Sequence, residues 1–85
     1  MITFKGLEEF IVTIHCDGHA IAAMSEPTTE KVESAVKDWT CYASVKVKED
    51  VEFCADDMTK AIVMQFTDDE EEFSGTIVLS AVLKY

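Results

Sequence analysis

One stretch of this 85-residue chain repeats its apolar residues at helical spacing, and the chain on either side of it alternates. Val32, Ala35, Val36 and Trp39 fall at i, i+3, i+4 and i+7, a single stripe of an α-helix. Pro27 suits a first helical turn, and Ser25 or Thr28 can cap it. Glu33 and Lys37 stand at the favourable i, i+4 spacing. A helix is therefore predicted within residues 26–40, with Trp39 as its largest buried anchor.

Around that helix the period is two. Residues 10–16 are rich in β-branched side chains, Asp17-Gly18 follows, and residues 19–25 are again mostly apolar. Asp-Gly between apolar runs is a strong hairpin signal, because a type I′ turn needs positive φ at both central positions. A two-residue turn sets Cys16 opposite His19, Ile14 opposite Ile21 and Val12 opposite Ala23. Phe10, Val12, Ile14, Ile21 and Ala23 then form the core face. Ile2 and Phe4 keep the same parity, which extends this strand towards residue 2 with Lys5-Gly6 as an interruption. Beyond the helix, Cys41, Ala43, Val45, Val47, Val51 and Phe53 share one parity, and Glu49-Asp50 marks a bulge or bend. Residues 61–67 read as the next strand, 68–72 as an acidic loop closed by Ser74-Gly75, and 76–85 as a last strand.

The predicted order is ββαβββ, an α+β single domain over residues 1–85. About five antiparallel strands form its sheet, and the helix lies across one face. Ile11, Val63, Val78 and Val82 fall on the other face. Residues 76–85, with Lys84 as their one charge, read as an edge strand.

Composition removes several classes of function. Seventeen Asp and Glu against seven Lys give a formal net charge of −10, while 48% of residues are hydrophobic. That apolar share argues against disorder. Direct binding of nucleic acid needs a basic stripe, which is missing. No run of about 18 apolar residues exists to cross a bilayer. The acid pair Glu8-Glu9 interrupts any secretion signal. Three cysteines, Cys16, Cys41 and Cys54, cannot all pair within one chain. Reduced thiols in a cytoplasm are expected, as a monomer or homodimer.

No motif for chemistry is complete. In His15-Cys16-Asp17-Gly18-His19, Cys16 and His19 share a strand face but His15 points to the other. Even with Cys41 that makes three ligands at best, short of a zinc tetrahedron. Cys16 and His19 could meet as nucleophile and base, but so small a sheet leaves little room for a pocket. An EF-hand loop begun at Asp68 places Phe73 where Gly belongs and Leu79 where Glu belongs. Three isolated glycines make no phosphate loop. No catalytic residue, metal ligand or cofactor is expected.

The acids are grouped. Glu26, Glu30 and Glu33 follow i, i+4, i+7 along the helix and its entry, opposite the apolar stripe. One helical turn rises about 5.4 Å, so their carboxylates repeat at roughly the charge spacing of a nucleic-acid backbone. Asp56-Asp57 and Asp68, Asp69, Glu70, Glu71 and Glu72 lie in two loops at opposite ends of one strand. Lys31, Lys37, Lys46 and Lys48 dilute the helical stripe. In size, acidity and simple α+β build the chain resembles small phage-encoded inhibitors: anti-CRISPR proteins, anti-restriction proteins and uracil-DNA glycosylase inhibitors. The resemblance implies an acidic, non-enzymatic protein that imitates nucleic-acid charge and blocks the basic groove of a nucleic-acid-handling or defence protein. The grouping of these ten carboxylates in the sequence makes them the expected contact residues. The other reading is a structural or adaptor subunit that assembles through a sheet face or edge strand.

Overall fold

The computed structural model describes residues 1–85 as seven strands and one helix. The strands are β1 (Ile2–Lys5), β2 (Phe10–Cys16), β3 (His19–Met24), β4 (Ser44–Val47), β5 (Val51–Cys54), β6 (Thr59–Asp68) and β7 (Glu71–Leu83); helix α1 covers Thr29–Thr40. Strands β2, β3, β4, β6 and β7 form an antiparallel sheet in the order β3-β2-β7-β6-β4, and β1 pairs in parallel with β5 as a separate ribbon. The class is α+β, with one helix on a five-stranded antiparallel sheet.

The first hairpin turns at Asp17-Gly18, whose φ values are 52° and 80°. Cys16 faces His19 as expected. Ile21 is then bulged out, so Ile14 faces Ala22 and Val12 faces Met24. The bulge moves Ala23 to the solvent side and lets Ile21, Ala22 and Met24 all pack on the core. Residues 2–5 are not an extension of β2. The left-handed Gly6 (φ 64°) turns the chain, and β1 pairs with β5 instead.

The run over residues 41–53 divides at Lys48-Asp50. Its first part pairs with β6 and its second with β1. The charged residues that interrupt the apolar row thus mark a bend at Glu49, as expected, and with it a change of sheet rather than a bulge. Cys41 lies outside any strand, as the left-handed residue (φ 64°) that ends α1, its N–H donating to Lys37 O at 2.8 Å. Such a cap satisfies a carbonyl the last helical turn leaves free.

β7 is the middle strand, not an edge: it pairs with β2 on one side and along all of β6 on the other. At about 3.3 Å per residue its thirteen residues span about 43 Å, which matches the 42 Å length of the molecule. The outer strands are β3 and β4. Helix α1 lies closest to these two and so spans the apolar face from edge to edge. Val32 and Val36 are fully buried there, against a core that includes Val12, Ile14, Ile62, Met64, Ile77 and Leu79. Every buried side chain is apolar.

Trp39 departs from its expected place. It is 43% exposed, its ring 5.9 Å from that of His19. The apolar stripe runs one turn farther than the core it packs on, so its last member lies over the rim, beside β3. Thr28, not Ser25, is the cap: its hydroxyl accepts from Lys31 N–H at 3.1 Å. Thr29 ties the helix start to β1, donating to Ile2 O and accepting from Ile2 N–H.

Candidate functional site

The ten carboxylates singled out in the sequence fall into three environments. The helical group is broken up. Glu26 precedes the helix, in an exposed segment where its carbonyl accepts from Lys31 Nζ at 2.8 Å. Glu30 is exposed in the first turn. Glu33 reaches sideways to β4, and its carboxylate accepts Val47 N–H at 2.8 Å. Val47 stands on an outer strand, so this contact satisfies a donor that the sheet edge leaves unpaired. Glu30 and Glu33 also share a shallow hollow with Lys37 and Lys46. Two acids and two lysines there make a mixed surface, not a repeating row of negative charge.

The pair Asp56 and Asp57 sits in a short 3-10 turn over Ala55–Asp57, ahead of β6. Asp56 is exposed. Asp57 is exposed too, but its Oδ2 accepts Cys54 N–H at 3.0 Å and Cys54 Sγ–H at 3.4 Å. The Cys54 backbone N–H, helped by the thiol, holds the Asp57 carboxyl below its ordinary value, and the same carboxylate pushes the Cys54 thiol up. Asp57 is thus a ring-closing acid of the turn as well as a surface charge. Met58 follows with φ 57°, and its carbonyl accepts Ala81 N–H at 2.8 Å.

The third group is not a loop. Strand β6 runs through Asp68, β7 starts at Glu71, and only Asp69 and Glu70 form the turn, with φ of 47° and 71°. Both central residues are left-handed without a glycine. Asp68 faces Glu71 and Thr67 faces Glu72 across the ladder. Five carboxylates therefore crowd one hairpin end, with like charges directly opposed, an arrangement that disfavours the sheet. None of them joins an ion pair; the two present are Met1 amine–Asp50 and Lys5–Glu52. Asp56-Asp57 and this tip lie at opposite ends of β6, about 33 Å apart at about 3.3 Å per residue.

Below the tip the hairpin is aromatic. Phe66 faces Phe73, and Tyr42 packs on both, with ring centroids 5.1–5.4 Å apart. Sequence reasoning passed over these three rings. Their signal was the aromatic residue on each side of the acidic run, two before Asp68 and one after Glu72, although the partner Tyr42 is remote in sequence.

Of the thiols, Cys16 faces His19 across the first hairpin, while Cys41 caps α1 and Cys54 ends β5. Burial, and next the Asp17 carboxylate, push the Cys16 thiol above its ordinary value, which keeps it protonated at neutral pH. His19 lies against Trp39, and His15 Nε2 is 3.1 Å from Ser80 Oγ. No cluster of three or more His, Cys, Asp and Glu side chains has the geometry to hold a metal ion. No helix is long and apolar enough to cross a membrane. No family model matches the chain, nor does any curated protein or solved structure.

Proposed function

We propose that this protein is a small acidic inhibitor that occupies the basic groove of a nucleic-acid-handling or defence protein by imitating nucleic-acid charge. One observation carries the reading: the unpaired carboxylates Asp68, Asp69, Glu70, Glu71 and Glu72 concentrated on one hairpin end. Opposed like charges and two left-handed non-glycine residues oppose folding at that end, and sites kept against such costs are often functional. A net charge of −10 supplies the long-range field that steers such a protein to a basic cleft. Asp56 and Asp57 add a second negative point at the far end of β6, and Glu26 and Glu30 a weaker third.

A second reading, a non-enzymatic adaptor subunit, draws on the outer sheet face, where Val78 and Val82 are exposed, and on β3, an outer strand without a charged residue. Salt separates the two. Binding through carboxylates weakens steeply as ionic strength rises, whereas apolar assembly persists. The experiment is capture of partners from lysate by the immobilised chain at low and high salt, with added duplex DNA as competitor. Release by salt and by DNA supports the inhibitor. A partner retained through both supports the adaptor and overturns the inhibitor.

A further inference from the structure

A cavity of about 140 Å³ opens just below the tip of the β6–β7 hairpin, among Cys16, Asp17, Tyr42, Phe66, Phe73 and Gly75. Three of its walls are the aromatic rings, with Tyr42 and Phe73 edge to face at 87°. Gly75 lets the Phe66 wall of the cavity pack directly on the β7 backbone. A Cβ at that position would come within 2.7 Å of Phe66 Cε2.

The charges around the cavity have one sign. Asp17 lines it, and no lysine does. Two residues beyond the Phe66–Phe73 pair, on the same side of the ladder, Asp68 faces Glu71. That carboxylate pair is about 7 Å farther out, at about 3.3 Å per residue. The lysines that contact the tip half of this hairpin serve the opposite side: Lys46 faces Gln65, and Lys48 Nζ donates to Ser74 Oγ at 3.1 Å. Lys60, on the same side in β6, is six residues from Phe66, about 20 Å away at about 3.3 Å per residue. Aromatic faces and carboxylates both attract a cation, and an anion is repelled by both. At about 140 Å³ the cavity has room for several heavy atoms, enough for the end of a lysine side chain.

We infer that this cavity receives one lysine side chain of the partner protein, its ammonium held at the aromatic rings between Asp17 and the Asp68–Glu71 pair. The inference rests on the reading of the chain as an acidic inhibitor and supplies its anchor. Solvated carboxylates steer the encounter, and a partly desolvated pocket fixes the register.

The test needs no partner. The ¹⁵N-labelled full chain is titrated with Nα-acetyl-lysine methylamide, and then with Nα-acetyl-norleucine methylamide, which lacks the charge. Saturable amide shifts are expected around Tyr42, Phe73 and Gly75. Norleucine should bind about fivefold more weakly, the size of a partly exposed cation–π contact, and so should lysine to Phe73→Leu. Phe73 is 39% exposed, so this variant keeps the fold. The double variant Asp68→Asn, Glu71→Gln should weaken lysine while leaving norleucine unchanged. Equal binding of the two probes, undiminished lysine binding by Phe73→Leu, or shifts scattered over the surface would each overturn the inference. Markedly tighter binding of 1,4-diaminobutane than of the lysine amide would overturn the assignment to a protein side chain. Loss of the pocket while salt-sensitive, DNA-competed partner capture persists leaves the inhibitor reading intact. A working pocket with salt-resistant capture defeats the inhibitor reading instead.

Discussion

At Gly75 the reason for glycine is space, not backbone freedom: the added Cβ would meet the ring of Phe66, itself packed on Tyr42 and Phe73. That ring cannot shift without disturbing its packing on both neighbours. Gly75→Ala should therefore destabilise by about 1–3 kcal/mol, the usual range for overpacking, as measured by urea unfolding. A neutral result would mean that the three rings are loosely held. Glu70 presents the opposite case. Its φ of 71° is unfavourable for any side chain, and it stands in a crowd of like charge. Glu70→Gly should raise stability by about 0.5–1 kcal/mol, read as a higher melting temperature. A lower melting temperature would show that the turn is held by its side chain. Neither position was legible as such in the sequence. Gly75 reads there as the end of a loop, and Asp69-Glu70 lacks the glycine that announces a two-residue turn, whereas Asp17-Gly18 announces one and forms it.

Among the elements, the helix and the first hairpin follow from local pattern, and the pairing of the later strands does not. Val32 and Val36 are buried as their spacing requires, since 3.6-residue periodicity is a property of the segment alone. The burial of Trp39 depended on how far the sheet extends beneath the last turn, which no local pattern records. Likewise residues 76–85 read as an edge strand from their one charge, yet most of them belong to the central strand β7, where the lack of charge reflects two paired sides. Glu33 reads as the last member of an acidic stripe and is a cap on an outer strand. Glu33→Ala should cost about 1–2 kcal/mol, since it frees a partly buried N–H from a charged acceptor. An unchanged urea midpoint would show that water replaces the carboxylate without loss. The turn before β6 adds a pH dependence. The folded Asp57 carboxyl lies below its ordinary value of 3.8. Its contribution is thus fully present above that value and disappears as the pH falls through the lower, folded one. Melting temperatures of Asp57→Asn should accordingly fall less than those of the parent chain below pH 3.8. Parallel curves would mean that the hydrogen bonds to Cys54 contribute nothing to stability.

Across the whole molecule, charge and shape are separated. Every buried side chain is apolar, and the ten candidate carboxylates lie outside that core. The composition made the acidity plain, and chain order alone set Asp56-Asp57 and the 68–72 cluster at opposite ends of one strand. What needed three dimensions was the ranking of the clusters. The helical row dissolves into a mixed surface with Lys37 and Lys46, while the hairpin end stays purely acidic above an aromatic pocket. The claim that this end blocks a basic groove is tested most directly by reversing it. Asp68→Lys, Asp69→Lys, Glu70→Lys, Glu71→Lys and Glu72→Lys together leave the core untouched, and each single solvated charge is worth about 1 kcal/mol or less. Partner capture from lysate by the parent chain and by this variant, with folding of both checked by circular dichroism, is the measurement. The account predicts that the folded variant captures none of the nucleic-acid-binding partner the parent retains, because like charges then face the groove. Capture of the same partner at undiminished strength by the folded variant would contradict it.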